Sequence, residues 1–562
     1  MTRRRFGALL AAASALIALT ASGASAGDND SGFKTSKPAF LEGKSGWTTE
    51  ALISVGDTLP GGYLFEAIPD GIAIDRLNGQ GTADILVNHE LSLVPFPATR
   101  QDPSNSTVSK LRLNQHSAGV LKGEYVIPLD AGYQRFCSNF VVDAEHGFDR
   151  RLLLTNEEAR DTVLRQEDAW HQPVGNPPTP FGVMPGDPGA EQAGVVVAYD
   201  VKSGAFKSIY GMGRYNHENA VGIPGYGHPV VLSGDDTFDA PASQLFIYEA
   251  SSGAAFWNDE GTLYAFKSND SAINDYGDVL EAMGPVSGQF IPVPREIATG
   301  KLGGDPNARD ITSLDYPDPD YPAPPAGIPD GPQWVLERWS NLNNAFQFIR
   351  IEDTAYDRSN PRIVYMADTG EPRALPDAAT TRLRRAASGT NGPYPNGRIW
   401  KLTLGASPLQ ATLDILPGAN FDAATPQYAN PNTVHQPDNV ETAGGALFIT
   451  EDPGTHNSSS PPSAYPPFTN ATNARVWRYD LATGALSVVA EVNQSVPGAP
   501  TLAKATWEAS GILDASSIFG AGAFLIDVQA HSWDMDAGTG NDPPAVPKRE
   551  NGQLLLLRAP GA

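Results

Sequence analysis

Short apolar runs along this chain repeatedly close on a cluster of polar or acidic residues. ADILVNHE at 83–90 is the first, and RLLLTNEE at 151–158 the second. HPVVLSGDD at 228–236, QWVLERWSN at 333–341, GALFITED at 445–452 and GAFLIDVQAH at 522–531 continue the series. Between them lies another kind of run, opening on or near glycine and carrying large apolar or aromatic residues. Its examples are 119–129, GVVVAYD at 194–200, GTLYAFK at 261–267, GRIWKL at 397–402, ARVWRYD at 474–480 and GQLLLLR at 552–558. Runs of this length, rich in β-branched and aromatic residues and bounded by turn formers, predict strands. Two are followed by near-identical turns, DVKSGAF from Asp200 and DLATGAL from Asp480, each a hairpin signal.

Six runs of each kind, alternating, predict an all-β fold: a six-bladed β-propeller, in which radial repetition of small sheets leaves few open edges. The uneven repeat requires long loop insertions, expected at 101–114, 166–193, 305–332 and 369–395, where Pro, Asp and Gly concentrate. A large β-sandwich is the competing architecture. Residues 27–562 read as a single propeller domain.

The first 26 residues read differently. TRRRF at 2–6 precedes an apolar run at 8–21 and then Ala24-Ser25-Ala26, the three parts of a signal peptide cleaved after Ala26. The paired arginines make it twin-arginine-like. Later apolar stretches are too short for a membrane span, so no stable membrane insertion is expected and the product is read as periplasmic or secreted.

Composition narrows the partners. Asp+Glu 64 against Lys+Arg 39 leaves a formal net charge of -25, which argues against nucleic acid and suits divalent cations. Gly 56 and Pro 48 fit a turn-rich β protein, and a single cysteine, Cys137, excludes an internal disulfide. A monomer is expected.

The acidic strand ends supply candidate cation ligands: Glu90, Glu157, Glu158, Asp235, Asp236 and Glu451. The segment at 211–236, GMGRYNHENAVGIPGYGHPVVLSGDD, adds Glu218 between glycines that permit tight turns and close ligand approach. Asn88 and Asn439 could contribute neutral oxygens. His89 and His217 each precede a glutamate in the triplet NHE; strand alternation turns each away from its neighbour, so both read as structural.

In order along the chain, several of these segments resemble the PhoX family of bacterial alkaline phosphatases. GRYNHEN at 213–219 is similar to the family's GRFxHE segment, and SGDD at 233–236 to its GDD element. FIRIEDTAYD at 348–357 resembles its RPED motif with Ile351 in place of proline. QPDNVE at 436–441 followed by ITED at 449–452 resembles PDN and its strand, and WEASGILDAS from Trp507 with LIDVQAH up to His531 resembles the C-terminal blade of related secreted proteins. The resemblance implies a propeller channel holding iron and calcium, hydrolysis of a small-molecule phosphate ester, and export by the twin-arginine route. It implies Glu218 as an iron ligand with a catalytic role, Glu157 or Glu158 as part of the acidic pair, Arg350 at phosphate and Glu352 at calcium. Asp438 is expected to hold a cation beside them.

One departure weighs on the metals. The family reads T-C-E-E where this chain has Thr155-Asn156-Glu157-Glu158, and Asn156 cannot supply a thiolate. Cys137, 19 residues upstream in RFCSNF, reads as a buried inert thiol. The expectation is therefore Ca²⁺, with Fe³⁺ less well supported. No G-x-S-x-G elbow or Walker-type phosphate loop is present. The alternative to a metal-dependent phosphatase is a non-catalytic calcium-stabilised propeller that binds a ligand or surface; a lactonase-type calcium propeller is a third.

Overall fold

The computed structural model describes residues 31–561 except 66–67, 91–105, 129–130, 166–188, 238–242, 318–323, 325–328, 372, 377–381, 386–392, 395, 419–431, 454–471 and 535–549. The segment read as a signal peptide lies outside the described residues.

Antiparallel sheets stand around a common axis. The first sheet runs Ile68–Leu77, Thr82–Glu90, Thr107–Asn114, Val120–Ile127. The next runs Phe136–Val142, Leu152–Glu157, Val196–Asp200, Phe206–Ile209. A five-stranded sheet begins at Pro437–Ala443 and Ala446–Glu451, and a four-stranded one at Glu508–Asp514 and Ala523–Asp534. The fold is all-β and propeller-like.

The chain ends close the circle. Thr48–Ser54 pairs with Glu550–Arg558 as the outer strand of the last sheet, and Leu41–Gly43 pairs with Leu486–Val492 at the edge of the sheet before it. N-terminal strands thus complete C-terminal sheets.

The expected six separate blades are not seen. Among the described residues four sheets of four or five strands stand apart, one sheet has nine strands, and two are small two-stranded ribbons. The cause is one edge pairing, Val286 to Gln289 against Leu413 to Gln410. It joins the strands that follow His217–Gly222 to those that follow Ile351–Asp357.

Two further expectations are corrected. QWVLERWSN is an α-helix, Pro332–Leu342, not a strand: Pro332 occupies its first turn, and Trp334, Val335, Leu336 and Arg338 are buried against neighbouring sheets. The place given to it belongs to Ile351–Asp357 and Asn360–Asp368. The loop expected at 101–114 contains a strand, Thr107–Asn114, and that at 369–395 contains a small ribbon of Ala374–Pro376 with Leu383–Arg385.

The core lies in wedges between neighbouring sheets, not in one centre. Leu52, Leu525 and Leu554 of the last sheet pack on Ile72, Ile85 and Leu111 of the first. The first sheet in turn packs through Ala73, Leu86 and Val108 on Phe136, Leu153 and Val197 of the second. Each fully buried Leu, Ile or Phe contributes about 1.5–3 kcal/mol. Apolar flanks hold the sheets face to face and leave the axis to polar residues.

Six innermost strands surround that axis, each packed on the next: Ile68–Leu77, Phe136–Val142, His217–Gly222, Ile351–Asp357, Pro437–Ala443, Glu508–Asp514, and back to the first.

Candidate metal centre

Every innermost strand carries a β-bulge. Phe136 pairs with Glu157 and Asn139 with Thr155, so three steps on the inner strand match two on its neighbour. The same slip falls between Pro69 and Ile72, His217 and Ala220, Ile351 and Thr354, and Pro437 and Val440. A bulge re-aims side chains that regular alternation would send to opposite faces. The residues in these five slips are Asp70-Gly71, Cys137-Ser138, Glu218-Asn219, Glu352-Asp353 and Asp438-Asn439. In the sixth strand the slip falls later, between Ser510 and Leu513.

The first residue of each of these five pairs enters one buried cluster. Asp70, Cys137 and Glu218 bring a ligand atom each to within 4.8 Å of one another, and so do Glu218, Glu352 and Asp438. A third group, Glu90, Cys137 and Glu158, adds residues from the ends of second strands. Cys137 and Glu218 each belong to two groups, which makes the cluster continuous.

The second residues of the pairs bind the inner strands into a closed belt. Asn139 Nδ2 donates to the Gly71 carbonyl at 2.7 Å, and Ser138 Oγ to Glu218 Oε1 at 3.0 Å. Asn219 Nδ2 donates to Asp353 Oδ1, whose other oxygen accepts from the Val440 amide at 2.8 Å. Asn439 Oδ1 accepts from the Gly511 amide at 2.7 Å, and Ser510 Oγ donates to Asp70 Oδ1 at 2.7 Å, completing the circle. Gly71 and Gly511 are needed for closeness: a Cβ on Gly71 would lie 2.5 Å from the Asn139 nitrogen, and one on Gly511 2.6 Å from the Asp70 carbonyl oxygen.

The electrostatics are those of a cation site. Burial, and then Glu352, Glu158, Asp70 and Asp438, hold the Glu218 carboxyl well above the usual carboxylate range. Asp438 is pushed the same way by burial, Glu508 and Glu352. Burial raises Glu352 against the pull of Arg350, and raises Glu158 to about 8 against Arg135. Burial and Glu90 raise Asp70 to about 7. The Cys137 thiol is raised by burial and by Glu218, Glu90 and Glu158. So many carboxylates cannot ionise together in a dry site unless cations neutralise them.

Two arginines border the cluster. Arg350 grips Asp236 with both prongs, Nε–Oδ1 2.7 Å and Nη2–Oδ2 2.9 Å, and lies 2.6 Å from Glu352 Oε1. Arg135 reaches Glu158 Oε2 at 2.8 Å and Glu90 Oε1 at 3.3 Å.

The structure thus brings together Glu90, Glu158, Glu218, Glu352 and Asp438, with Asp236 and Arg350 beside them. It does not bring in four other expected ligands. Glu157 turns away and is saturated by Arg165 and by the amides of Gln134, Gly194 and Val195. Glu451 is likewise claimed by Arg475, by Trp477 Nε1 at 2.8 Å and by the His435 amide. Asp235 accepts from Thr237 and the Gln244 amide, and lies beside Glu337. Asn439 spends its oxygen on Gly511 and Ser510 and its nitrogen on Ser138, so it positions ligands and is not one. Asn88 is similarly consumed by Cys137 O, Ser138 O and Asn139. His89 bonds Ser109 Oγ at 2.7 Å. His217 stacks on Tyr215 and is held neutral, its pKa lowered by burial to about 3.

Cys137 is buried, as expected. Its sulfur lies 3.1 Å from Glu158 Oε2, at the junction of two groups that could hold a metal. Asn156 instead donates to the Ser138 carbonyl at 2.8 Å. Asp70 and Arg135 also escaped the sequence reading. The signal for Asp70 was an Asp-Gly pair inside the apolar run IPDGIAID at 68–75, a bulge signature; Arg135 had none beyond its nearness to the lone cysteine.

The donor set fits metal ions. Asp438 Oδ2 is buried without a hydrogen-bond partner among the described residues, and an Asp438 oxygen lies within 4.8 Å of ligand atoms of Glu218 and Glu352. Glu218, Glu352 and Asp438 offer hard oxygens only, as Ca²⁺ prefers; the groups around Cys137 add a soft sulfur, which suits a transition metal.

Fold and site together define a β-propeller whose axis is plugged by a buried carboxylate and thiol cluster. A solved structure of this architecture is that of PhoX from Pseudomonas fluorescens in complex with vanadate, a transition state analogue. It matches with a TM-score of 0.57 and 16% identity, over 94% of this chain and 98% of that one. At that identity the likeness establishes the fold. A protein of unknown function from Dyadobacter fermentans (TM-score 0.38, 9% identity, 92% and 100% covered) and the NanB sialidase of Streptococcus pneumoniae (0.37, 6%, 90% and 70%) are too distant to carry an argument. No family model matches the chain, and no curated protein matches it in sequence. Among the described residues no helix is long and apolar enough to cross a membrane.

Proposed function

We propose that this chain is an exported, metal-dependent phosphatase that hydrolyses small phosphate esters at the axial cluster. The observation that carries the reading is the convergence of Asp70, Cys137, Glu218, Glu352 and Asp438, from five different innermost strands, on one buried locus. The likeness to a propeller solved with vanadate supports phosphoryl chemistry.

Glu218, Glu352 and Asp438 would hold calcium, while Asp70, Cys137, Glu90 and Glu158 would hold a softer metal such as iron. Bound there, the cations would supply charge neutralisation at the phosphoryl oxygens and an activated water. The protein's own part is orientation. Arg350, held by Asp236 through Nε and Nη2, would turn a guanidinium edge to phosphoryl oxygens once cations take up Glu352. Ser138 and Ser510, fixed by Asn439, set the rotamers of Glu218 and Asp70. The apolar wedges between sheets keep the belt rigid, so little reorganisation is left for the reaction.

The non-catalytic alternative draws its force from Asn156; Cys137, beside Glu90 and Glu158, would supply a sulfur in its place. The N-terminal segment supports export to the periplasm or beyond. The test is hydrolysis of p-nitrophenyl phosphate by purified protein, before and after chelation and after return of calcium and iron. Activity lost on chelation and regained with metal supports the reading; none under any of these conditions sinks it.

A further inference from the structure

The proposed phosphatase reading uses one arginine, but the structure holds another in an equivalent setting. Arg135 and Arg350 are each ion-paired to two cluster carboxylates: Arg135 to Glu90 and Glu158, Arg350 to Asp236 and Glu352. Glu158 and Asp236 are close enough for the charge of one to raise the other's carboxyl, so the two guanidiniums bracket one carboxylate pair. Their side chains keep 16% and 15% exposure, against 0–9% for their four partners, so the guanidiniums are the more accessible members of each ion pair. Arg135 also holds a backbone conformation that few residues other than glycine adopt, φ 46°. That conformation lies one residue before the bulged strand that delivers Cys137, where strain marks a functional position.

We propose that Arg135 is a second phosphate-binding arm working with Arg350, and that the pair selects phosphate monoesters over diesters. A monoester presents three non-bridging oxygens and two negative charges, enough for two guanidinium forks as well as cations. A diester presents two such oxygens and one charge, and its second ester group must occupy the space of one arm. Cations that claim Glu90, Glu158 and Glu352 would loosen both arginines from those carboxylates and turn them to the incoming anion. Metal loading and phosphate binding are then cooperative, each strengthening the other.

The inference rests on the phosphatase reading, and its test separates the two. Metal-loaded wild type and the variants Arg135→Gln and Arg135→Lys are compared by metal content, by calorimetric binding of inorganic phosphate, and by kcat/KM on p-nitrophenyl phosphate and bis-p-nitrophenyl phosphate. The expected result for Arg135→Gln is unchanged metal content, about 10- to 100-fold weaker phosphate binding and a loss of similar size on the monoester, with a smaller loss on the diester and partial rescue in Arg135→Lys. Equal losses on the two esters, or no change in phosphate affinity, overturn the proposal. Loss of metal in both variants overturns it too, because Arg135 would then only hold Glu90 and Glu158. Wild type that binds phosphate with help from Arg135 yet hydrolyses neither ester leaves the second arm standing and removes the phosphatase reading.

Discussion

Cys137 Sγ lies 3.1 Å from Glu158 Oε2, joining an innermost strand to the end of its neighbour in the same sheet. The contact puts the chain's one thiol at the meeting point of two ligand groups. Replacing it by serine changes one atom, so the fold should persist while affinity for a soft metal falls. Cys137→Ser is expected to lose iron or another transition metal, to retain calcium at Glu218, Glu352 and Asp438, and to lose at least about 100-fold in phosphatase rate. Elemental analysis beside the rate decides it; an unchanged transition-metal content would favour the inert reading.

Metal-free protein should be sensitive to alkali. Its Asp70, Asp353 and Glu158 carboxyls titrate at about 7, about 7 and about 8, each raised mainly by burial. An unfolded chain titrates these groups near 4. The folded state therefore binds more protons between pH 4 and 8, and stability falls as pH rises through that window. Chelated protein is expected to melt at a higher temperature at pH 5 than at pH 8, and calcium added at pH 8 should recover the loss. A melting temperature that climbs from pH 5 to pH 8 after chelation would show that the cluster does not carry this strain.

The Asn439 side chain makes three hydrogen bonds, one from the Gly511 amide and two that aim Ser138 and Ser510 at Glu218 and Asp70. Asn439→Ala should cost about 2–4 kcal/mol of stability and weaken metal binding about 10- to 100-fold. Denaturant unfolding and metal titration measure the two effects. Normal metal affinity in a destabilised variant would confine Asn439 to the belt.

Glu451 provides the contrast. It neutralises buried Arg475 and accepts from Trp477, outside the cluster. Glu451→Gln should cost about 3–5 kcal/mol, because Arg475 is left uncompensated, and should leave the metal content of the surviving folded protein intact. Loss of metal without loss of stability would reverse the assignment.

How far the residues announced all this depends on which strand they sit in. The second strands were legible, because LLLTNE and ALFITE follow the patterns of half- and fully buried strands. The innermost strands were not. Their bulges set two consecutive residues at the axis, so Cys137-Ser138 and Glu352-Asp353 break the alternation that identifies a strand. Glu218, Glu352 and Asp438 were found through motif order, not periodicity. Glu157 and Glu158 looked interchangeable in TNEE; only the register with Phe136 and the presence of Arg165 turn one away and the other inward. The helix at Pro332–Leu342 was missed because WVLERW supports either a buried strand or one amphipathic turn after another.

Glu218 belongs to two of the three ligand groups, so the metal content of Glu218→Gln, read beside its p-nitrophenyl phosphate activity, tests the central claim most directly. The account predicts that wild type purifies with bound metal and that the variant, still folded, loses most of that metal and its hydrolysis together. A folded variant with the wild-type metal complement would contradict it.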